Sequence, residues 1–141
     1  MQHRVFVFGT LKEGFPNFLP HQGARVPGTF TTQDRFPLYL VGQRHSPWLM
    51  HAPGEGHRIQ GQVFEVDQAA LDAMDQLERI TEPDGYRRVV LEVASSDVDK
   101  PAILHVNVYI KQPECLDPAE IRLGPLAQYT HEHAALYRPR A

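Results

Sequence analysis

The sequence lacks the marks of several large classes of protein. Its single cysteine, Cys115, cannot form an internal disulfide, and no apolar leader segment follows Met1, so we expect a cytoplasmic chain. Its longest apolar runs fall far short of the roughly 20 residues that a membrane-spanning helix needs. The formal net charge is only −3, and no basic stripe is present to bind phosphates. We therefore expect neither a membrane nor a nucleic acid as partner.

The common signatures of metal and nucleophile chemistry are missing as well. The chain contains no Gly-x-Ser-x-Gly elbow and no Gly-rich phosphate loop of the Walker type. His131 and His133 are two residues apart, so on a helix their rings would point to different faces. Cys115 lies in a proline-flanked loop with no evident activating base. We expect no metal site and no nucleophilic cysteine.

Turn-separated apolar runs dominate what is present. With 141 residues the chain is long enough for a proper core, and we expect residues 1–141 to form a single domain. Helices are predicted from Asp67 to about residue 80 and over residues 126–136. Links of hairpin length favour an α+β fold, a mostly antiparallel sheet curled into a small barrel with helices outside it. The predicted strands, six or seven in number, are residues 4–8, 28–32, 37–41, 47–50, 59–66, 86–93 and 103–110.

Finer predictions concern the links between these elements. Gly61 lies in the middle of a predicted strand, which indicates a bulge or the close passage of another backbone. Residues 103–110 are expected to pair with the preceding strand through a polar hairpin loop at residues 95–101. Residues 138–141 are expected to form a tail.

A buried strand that ends at a glycine gives the first candidate site. Residues 5–8 are all β-branched or aromatic, and Gly9 ends the run. Backbone N–H groups are left without strand partners where a ladder ends, and they suit a carboxylate or a developing oxyanion. The alternative is a first core strand that simply ends in a turn.

Glu78 occupies a position that disfavours an ionised carboxylate. It follows Leu71 and Met74 at i, i+3 and i+7, which puts all three on one helix face. Leu77 widens this apolar stripe. The carboxylate also lies in the last helical turn, near partly negative carbonyls, with Asp75 three residues before it. These effects predict a raised pKa for Glu78, which suits a general acid–base group at neutral pH.

The residues alone leave alternatives open at this helix. Glu78 can instead lie at the edge of the stripe, where it would reach water or pair with Arg79 or Arg88. Tyr86 and Arg88 are two apart on a predicted strand and therefore face the same side. They either bring a phenol and a guanidinium beside the Glu78 helix or line a surface.

Several segments, taken in order, form a composite pattern. They are residues 6–12 (Phe-Val-Phe-Gly-Thr-Leu-Lys) with Gly14 and Asn17, 47–56 (beginning Pro-Trp-Leu-Met-His), 61–67 (Gly-Gln-Val-Phe-Glu-Val-Asp), 71–78 followed by Tyr86-x-Arg88, and 136–140 (Leu-Tyr-Arg-Pro-Arg). Together they resemble the γ-glutamylcyclotransferase-like (AIG2-like) family, and in particular its γ-glutamylaminecyclotransferase branch. The resemblance runs from Val5 to about Val93 and returns in the tail.

The resemblance implies both a fold and a reaction. The fold is a small mixed β-barrel with flanking α-helices, in agreement with the element count above. In the reaction, the α-amino group of a γ-glutamyl compound attacks its own γ-carbonyl, the ring closes to 5-oxoproline, and an amine leaves. The partner is then a small-molecule γ-glutamyl substrate, and no metal or organic cofactor is needed.

The resemblance also assigns roles to single residues. Glu78 matches the family's catalytic glutamate. The positions that match substrate-binding segments are Phe8, Gly9, Thr10, Leu11, Tyr86 and Arg88. The family usually has tyrosine where this chain has Phe8, so the aromatic face is kept and the hydroxyl is lost. That departure bears on affinity or on the choice of leaving group.

Three functions remain open at this point. The first is a γ-glutamylamine cyclotransferase-like enzyme that acts on an amide such as γ-glutamyl-ε-lysine. The second is a cyclotransferase for γ-glutamyl amino acids or for γ-glutamyl-protected biosynthetic intermediates. The third is a non-catalytic barrel that binds a small molecule. The sequence does not indicate an oligomeric state.

Overall fold

The fold is assembled from nine short strands and two helices within residues 2–18, 23–96 and 102–138, the part of the chain that the computed structural model describes. The strands are β1 (His3–Val7), β2 (Ala24–Arg25), β3 (Phe30–Thr32), β4 (Leu38–Val41), β5 (Ser46–Leu49), β6 (Gln60–Val66), β7 (Arg87–Ser95), β8 (Ile103–Ile110) and β9 (Ile121–Leu123). The helices are α1 (Gln68–Leu77) and α2 (His131–Ala134).

Five of these strands close into a barrel. Their order is β1-β8-β7-β3-β6, and β6 pairs back onto β1. The contact between β1 and β8 is parallel, whereas the other contacts of the circuit are antiparallel. The prediction of a mixed, mostly antiparallel α+β barrel with flanking helices is therefore confirmed.

Gly61 allows β6 to lie close against β1. A Cβ atom at this position would stand 2.5 Å from the carbonyl oxygen of Val7 and 2.7 Å from Cζ of Phe6. Real Cβ atoms do not approach other atoms so closely, so a glycine is required. The close passage of another backbone predicted at Gly61 is confirmed.

A second sheet, in the order β5-β4-β9, is attached to the end of β8. The N–H of Lys111 donates to the carbonyl of Leu49 at 2.8 Å, and the N–H of His51 donates to the carbonyl of Lys111 at 2.8 Å. These bonds hold the β4–β5 hairpin over one end of the barrel. Trp48 is thereby placed next to the residue that follows β8.

Helix α1 begins as predicted, because Asp67 caps it. The Asp67 carboxylate accepts the N–H of Ala70 at 2.8 Å. Leu71 and Met74 are buried, so the stripe that contains Glu78 does face the interior. The widening of that stripe by Leu77 is not confirmed, since Leu77 is 39% exposed.

The last predicted helix is wrong in extent. Helix α2 is a single turn, because the residues before it make sheet-like bonds instead. The N–H of Leu126 donates to the carbonyl of Leu38, and the carbonyl of Ala127 accepts the N–H of Gln60. Tyr129 then inserts into the core, where it is fully buried. Buried strand-type contacts thus outcompete the helical period of this segment.

The two histidines of α2 have structural contacts. Nδ1 of His133 accepts the N–H of Thr130 at 2.9 Å, which caps the helix. The ring of His131 stacks on Phe15, with 4.2 Å between ring centroids. His131 therefore holds the C-terminal segment against the loop that follows β1, whereas His133 stabilises the start of α2.

The remaining sequence predictions have mixed outcomes. β7 and β8 pair as an antiparallel hairpin from Arg87 opposite Ile110 to Ala94 opposite Ile103, as predicted. No strand was predicted at β2 or β9, which have two and three residues. Residues 97–101 of the predicted loop and 139–141 of the tail lie outside the described residues. Over the described residues, no helix has the length and apolarity to span a membrane.

The two leucines of α1 provide a matched test of its orientation. Leu71 is 2% exposed and Leu77 is 39% exposed on the same helix. We expect Leu71→Ala to lower the free energy of unfolding by about 2–5 kcal/mol, because it leaves a cavity in the core. Leu77→Ala should cost less than about 1 kcal/mol. Urea titration of both variants measures the difference, and equal losses would contradict this orientation of α1.

Candidate active site

A cavity of about 730 Å³ opens at the end of the barrel where β1 and β8 stop. Its walls come from the loop after β1, the β4–β5 hairpin, the C-terminal end of α1, the residues flanking β7 and β8, and the C-terminal segment. A volume of this size is in the range that accommodates a small organic ligand. Phe8, Gly9, Thr10, Leu11, Glu78 and Tyr86 all line it.

The loop after β1 forms part of the cavity wall and contains backbone donors without acceptors in the described part of the protein. The N–H groups of Gly9 and Thr10 have no acceptor among the described residues, and both residues line the wall. A Cβ atom on Gly9 would lie 2.8 Å from Cγ of Pro47, so only glycine permits this approach to the β4–β5 hairpin. The strand end predicted as an anion or oxyanion site thus has, within the part of the chain that the structure describes, two backbone N–H groups without protein acceptors at the cavity wall.

Short internal bonds hold this loop in shape. The N–H of Lys12 donates to the carbonyl of Gly9 at 3.1 Å, and the N–H of Asn17 donates to the carbonyl of Thr10 at 2.8 Å. The ammonium of Lys12 donates to the carbonyl of Tyr129. Burial, with a smaller contribution from Arg25, lowers the pKa of Lys12 to about 8. The loop is thus fixed before any ligand arrives.

Glu78 is the C-terminal cap of α1 and faces the cavity. Its N–H donates to the carbonyl of Met74 at 2.9 Å, and its carbonyl accepts the N–H of Tyr86 at 3.0 Å. Arg79 then takes a left-handed conformation with φ of 54°, which turns the chain away from the helix axis. Gly85 packs so tightly on this turn that a Cβ atom there would lie 1.7 Å from the carbonyl oxygen of Arg79. The turn therefore brings Glu78 and Tyr86 side by side.

Tyr86 joins the helix end to the hairpin. Its hydroxyl donates to the carbonyl of Pro47 at 2.9 Å. The ring lies 4.6 Å from the ammonium of Lys111, and the ring of Trp48 lies 4.2 Å from the same ammonium. Lys111 is only 4% exposed, lines the cavity and also donates to the carbonyl of Asp84. A cation is therefore enclosed between two aromatic faces in the same cavity as Glu78.

Arg88 is not among the residues that line the cavity. It forms a paired contact with Asp75, with 2.9 Å from Nε to Oδ1 and 3.3 Å from Nη2 to Oδ2. The hydroxyl of Tyr109, which does line the cavity, donates to Oδ1 of Asp75 at 2.6 Å. Burial and this hydrogen bond raise the pKa of Tyr109 far above its ordinary value. Arg88 thus lies beside α1 and connects to the cavity through Asp75 and Tyr109.

Lys111 and Tyr137 are among the cavity residues that the sequence did not reveal, and one other cavity residue was set aside. Lys111 is the first residue after an apolar strand, and a lysine at that position predicts a solvent-exposed strand end. Tyr137 lies between the last predicted helix and the predicted tail. Cys115, set aside for want of an activating base, lines the wall. Only long-range contacts bring these residues to the cavity, so no local pattern reveals them.

Comparisons with known proteins agree on one family. A family model described as gamma-glutamyl cyclotransferase, AIG2-like, matches residues 5–130. The chain is 36% identical over 143 residues to a gamma-glutamylaminecyclotransferase of Bos taurus, covering 96% of this chain and 82% of that protein. It is 33% identical over 149 residues to the protein of that name from Homo sapiens, with 96% of each covered.

The structural comparison agrees with the sequence comparisons. The crystal structure of an AIG2-like protein from Mus musculus superposes with a TM-score of 0.83 at 32% identity, and the match covers 99% of this chain and 97% of that one. The family match extends over the strand-end loop, the Glu78 helix and β8, the elements that form the cavity. The chain therefore belongs to the AIG2-like gamma-glutamyl cyclotransferase family.

Proposed function

We propose that this protein is a γ-glutamylamine cyclotransferase-like enzyme of the cytoplasm. It converts a γ-glutamyl amide, such as γ-glutamyl-ε-lysine, into 5-oxoproline and a free amine. The observation that supports the proposal is that Glu78, Gly9 and Thr10 line one cavity and that the N–H groups of Gly9 and Thr10 have no acceptor among the described residues. The names of the bovine and human relatives support the same reaction.

The reaction needs a base before it needs an acid. The α-ammonium of the substrate has a pKa near ~8, so it must lose a proton before its nitrogen can attack the γ-carbonyl. Glu78 takes that proton. The new C–N bond closes a five-membered ring, and the carbonyl oxygen becomes an oxyanion. The ring nitrogen, still cationic after the attack, loses its second proton to solvent. Glu78 returns the first proton to the amide nitrogen, the C–N bond to the leaving amine breaks, the oxyanion collapses to the carbonyl, and the released amine takes up a proton from solvent.

The loop after β1 stabilises the intermediate of this reaction. The N–H groups of Gly9 and Thr10 donate to the oxyanion, and they are already fixed by the bonds of Lys12 and Asn17. Phe8 and Leu11 are buried beside them and supply apolar wall. Because the donors belong to the backbone, the loss of the family's tyrosine hydroxyl at Phe8 leaves them in place.

The aromatic and ionic contacts around the cavity hold the substrate in one conformation and balance its negative charge. Ring closure is intramolecular, so the protein mainly has to hold one folded conformer of the γ-glutamyl group. Tyr86 contributes wall and keeps the Glu78 turn against the hairpin. Arg88 acts through Asp75 and Tyr109 to hold that wall in place. Lys111 supplies positive charge for an anionic substrate.

Replacement of Glu78 tests the assignment of the base. Glu78→Gln keeps the shape of the side chain and removes its basicity, so we expect 5-oxoproline release to fall by roughly 100-fold or more. The exposed Glu82→Gln, in the same turn, is the matched control and should keep full activity. The assay is 5-oxoproline release from γ-glutamyl-ε-lysine, a γ-glutamyl alkylamine, a γ-glutamyl α-amino acid and glutathione.

The panel also separates the competing functions. A preference for the γ-glutamyl amines supports the proposal. A preference for the γ-glutamyl α-amino acid would instead identify a cyclotransferase for γ-glutamyl amino acids. Near-normal turnover by Glu78→Gln would show that Glu78 is not the base. Calorimetric binding of a γ-glutamyl amine without product would identify a binding barrel instead.

Charge at Lys111 is tested by a pair of variants. Lys111→Met keeps much of the apolar stem between Trp48 and Tyr86 but removes the cation, so we expect kcat/KM to fall roughly tenfold or more. Lys111→Arg keeps the cation and should retain most of the activity. Thermal unfolding of both variants checks that the fold is kept. A folded Lys111→Met protein with unchanged kcat/KM would rule out an electrostatic role.

A further inference from the structure

The C-terminal segment returns to the rim of the cavity. The N–H of Arg138 donates to the carbonyl of Arg44 at 2.9 Å, and Nε of Arg44 donates to the carbonyl of Arg138 at 3.0 Å. Arg44 belongs to the turn between β4 and β5. This pair of bonds places Tyr137, the residue before Arg138, in the cavity wall, and Arg44 lines the same wall.

The hydroxyl of Tyr137 is held by two donors. Nδ2 of Asn17 donates to it at 3.1 Å, and Nη2 of Arg44 donates to it at 3.0 Å. The same amide nitrogen of Asn17 also donates to Oγ1 of Thr10 at 3.0 Å. A chain of contacts therefore runs from the strand-end loop through Asn17 and Tyr137 to Arg44.

These contacts determine which groups the hydroxyl proton of Tyr137 can bind. A phenol oxygen accepts through its lone pairs and donates one proton. Both partners of Tyr137 are donors, so its acceptor positions are used and its own proton has no acceptor among the described residues. Because Tyr137 lines the cavity, that proton is available to a ligand there.

We propose that Tyr137 and Arg44 form a carboxylate subsite of this cavity, with Tyr137 as a substrate-binding residue. This inference rests on the proposed function for the identity of the substrate. Arg44 uses Nε and Nη2 in its protein contacts, and a guanidinium has five N–H donors, so donors remain for a carboxylate. One carboxylate oxygen accepts from Tyr137 and the other from Arg44.

Two acidic residues of the cavity lining, Asp117 and Glu120, have hydrogen-bond partners on their own segment. The carboxylate of Glu120 binds Nη2 of Arg122 at 3.3 Å. The carboxylate of Asp117 accepts the N–H of Ala119 at 3.0 Å. Both acids are therefore engaged on their own segment. The cation of Arg44 lies instead over the ring of Tyr137, 5.6 Å from the centroid, which keeps the guanidinium beside the phenol.

The carboxylate has two possible sources in one substrate. Every γ-glutamyl amide carries the α-carboxylate of its glutamyl group, and γ-glutamyl-ε-lysine carries a second one on its leaving amine. Kinetics with Tyr137→Phe separate them, because the variant removes only the hydroxyl and keeps the ring beside Arg44. We expect a rise in KM of roughly 10- to 100-fold with kcat little changed, as for a lost hydrogen bond to a charged group.

The pattern across substrates identifies the source. A rise in KM for γ-glutamyl-ε-lysine and for a γ-glutamyl alkylamine alike assigns the subsite to the glutamyl α-carboxylate. A rise for γ-glutamyl-ε-lysine alone assigns it to the leaving amine. Tyr39→Phe is the matched control, since Tyr39 is half-buried and does not line the cavity. Unchanged KM in Tyr137→Phe for both substrates would overturn the proposal.

A binding measurement makes the test independent of turnover. Calorimetry compares 5-oxoproline with its primary amide, which lacks the charge, and lysine with lysinamide, for the unmodified protein and for Tyr137→Phe. In one of the two pairs, the unmodified protein should bind the acid more tightly than the amide by roughly tenfold or more. Tyr137→Phe should bind the acid and the amide of that pair equally. An equal loss for acid and amide would show a merely structural role and overturn the subsite. A protein that binds the acids selectively but releases no 5-oxoproline keeps the subsite and loses the proposed function.

Discussion

The parallel contact between β1 and β8 determines where the cavity of the candidate active site lies. Parallel strands end at the same side of a sheet, so the loop after β1 and the residue after β8 emerge together. β7 is antiparallel to β8, and therefore its first residues, next to Tyr86, also start there. A single pairing thus gathers the backbone donors of Gly9 and the ammonium of Lys111 at one end of the barrel.

Helix α1 brings Glu78, the proposed base, to that same end. β6 is antiparallel to β1, with Val66 opposite His3, so α1 starts at the far end of the barrel. Its ten residues rise about 15 Å, which carries Glu78 back toward the end of β1. The helix is fixed in this course by buried Leu71 and Met74 and by the ion pair of Asp75 with Arg88. The length of α1 and the direction of β6 together place the carboxylate.

Local patterns in the sequence predicted the parts of the site that depend on local structure. The helical period identified the inward face of α1, and a run of β-branched and aromatic residues ending at Gly9 identified the strand end. The positions of Lys111 and Tyr137 depend on contacts with Trp48 and Arg44, more than 60 residues away, and no local pattern contains them. The helix predicted over 126–136 was too long because sheet bonds and the burial of Tyr129 outweigh its apolar spacing.

The barrel's closing contact also bears on how the chain acquires its structure. Val5 pairs with Asn107, so the first strand is complete about a hundred residues before its parallel neighbour exists. Contacts this distant in sequence raise the contact order and slow the search for the folded state. During synthesis the apolar segment of β1 has β6 to pair with, but one of its edges stays open until β8 leaves the ribosome. That open edge is a transient template for association between nascent chains.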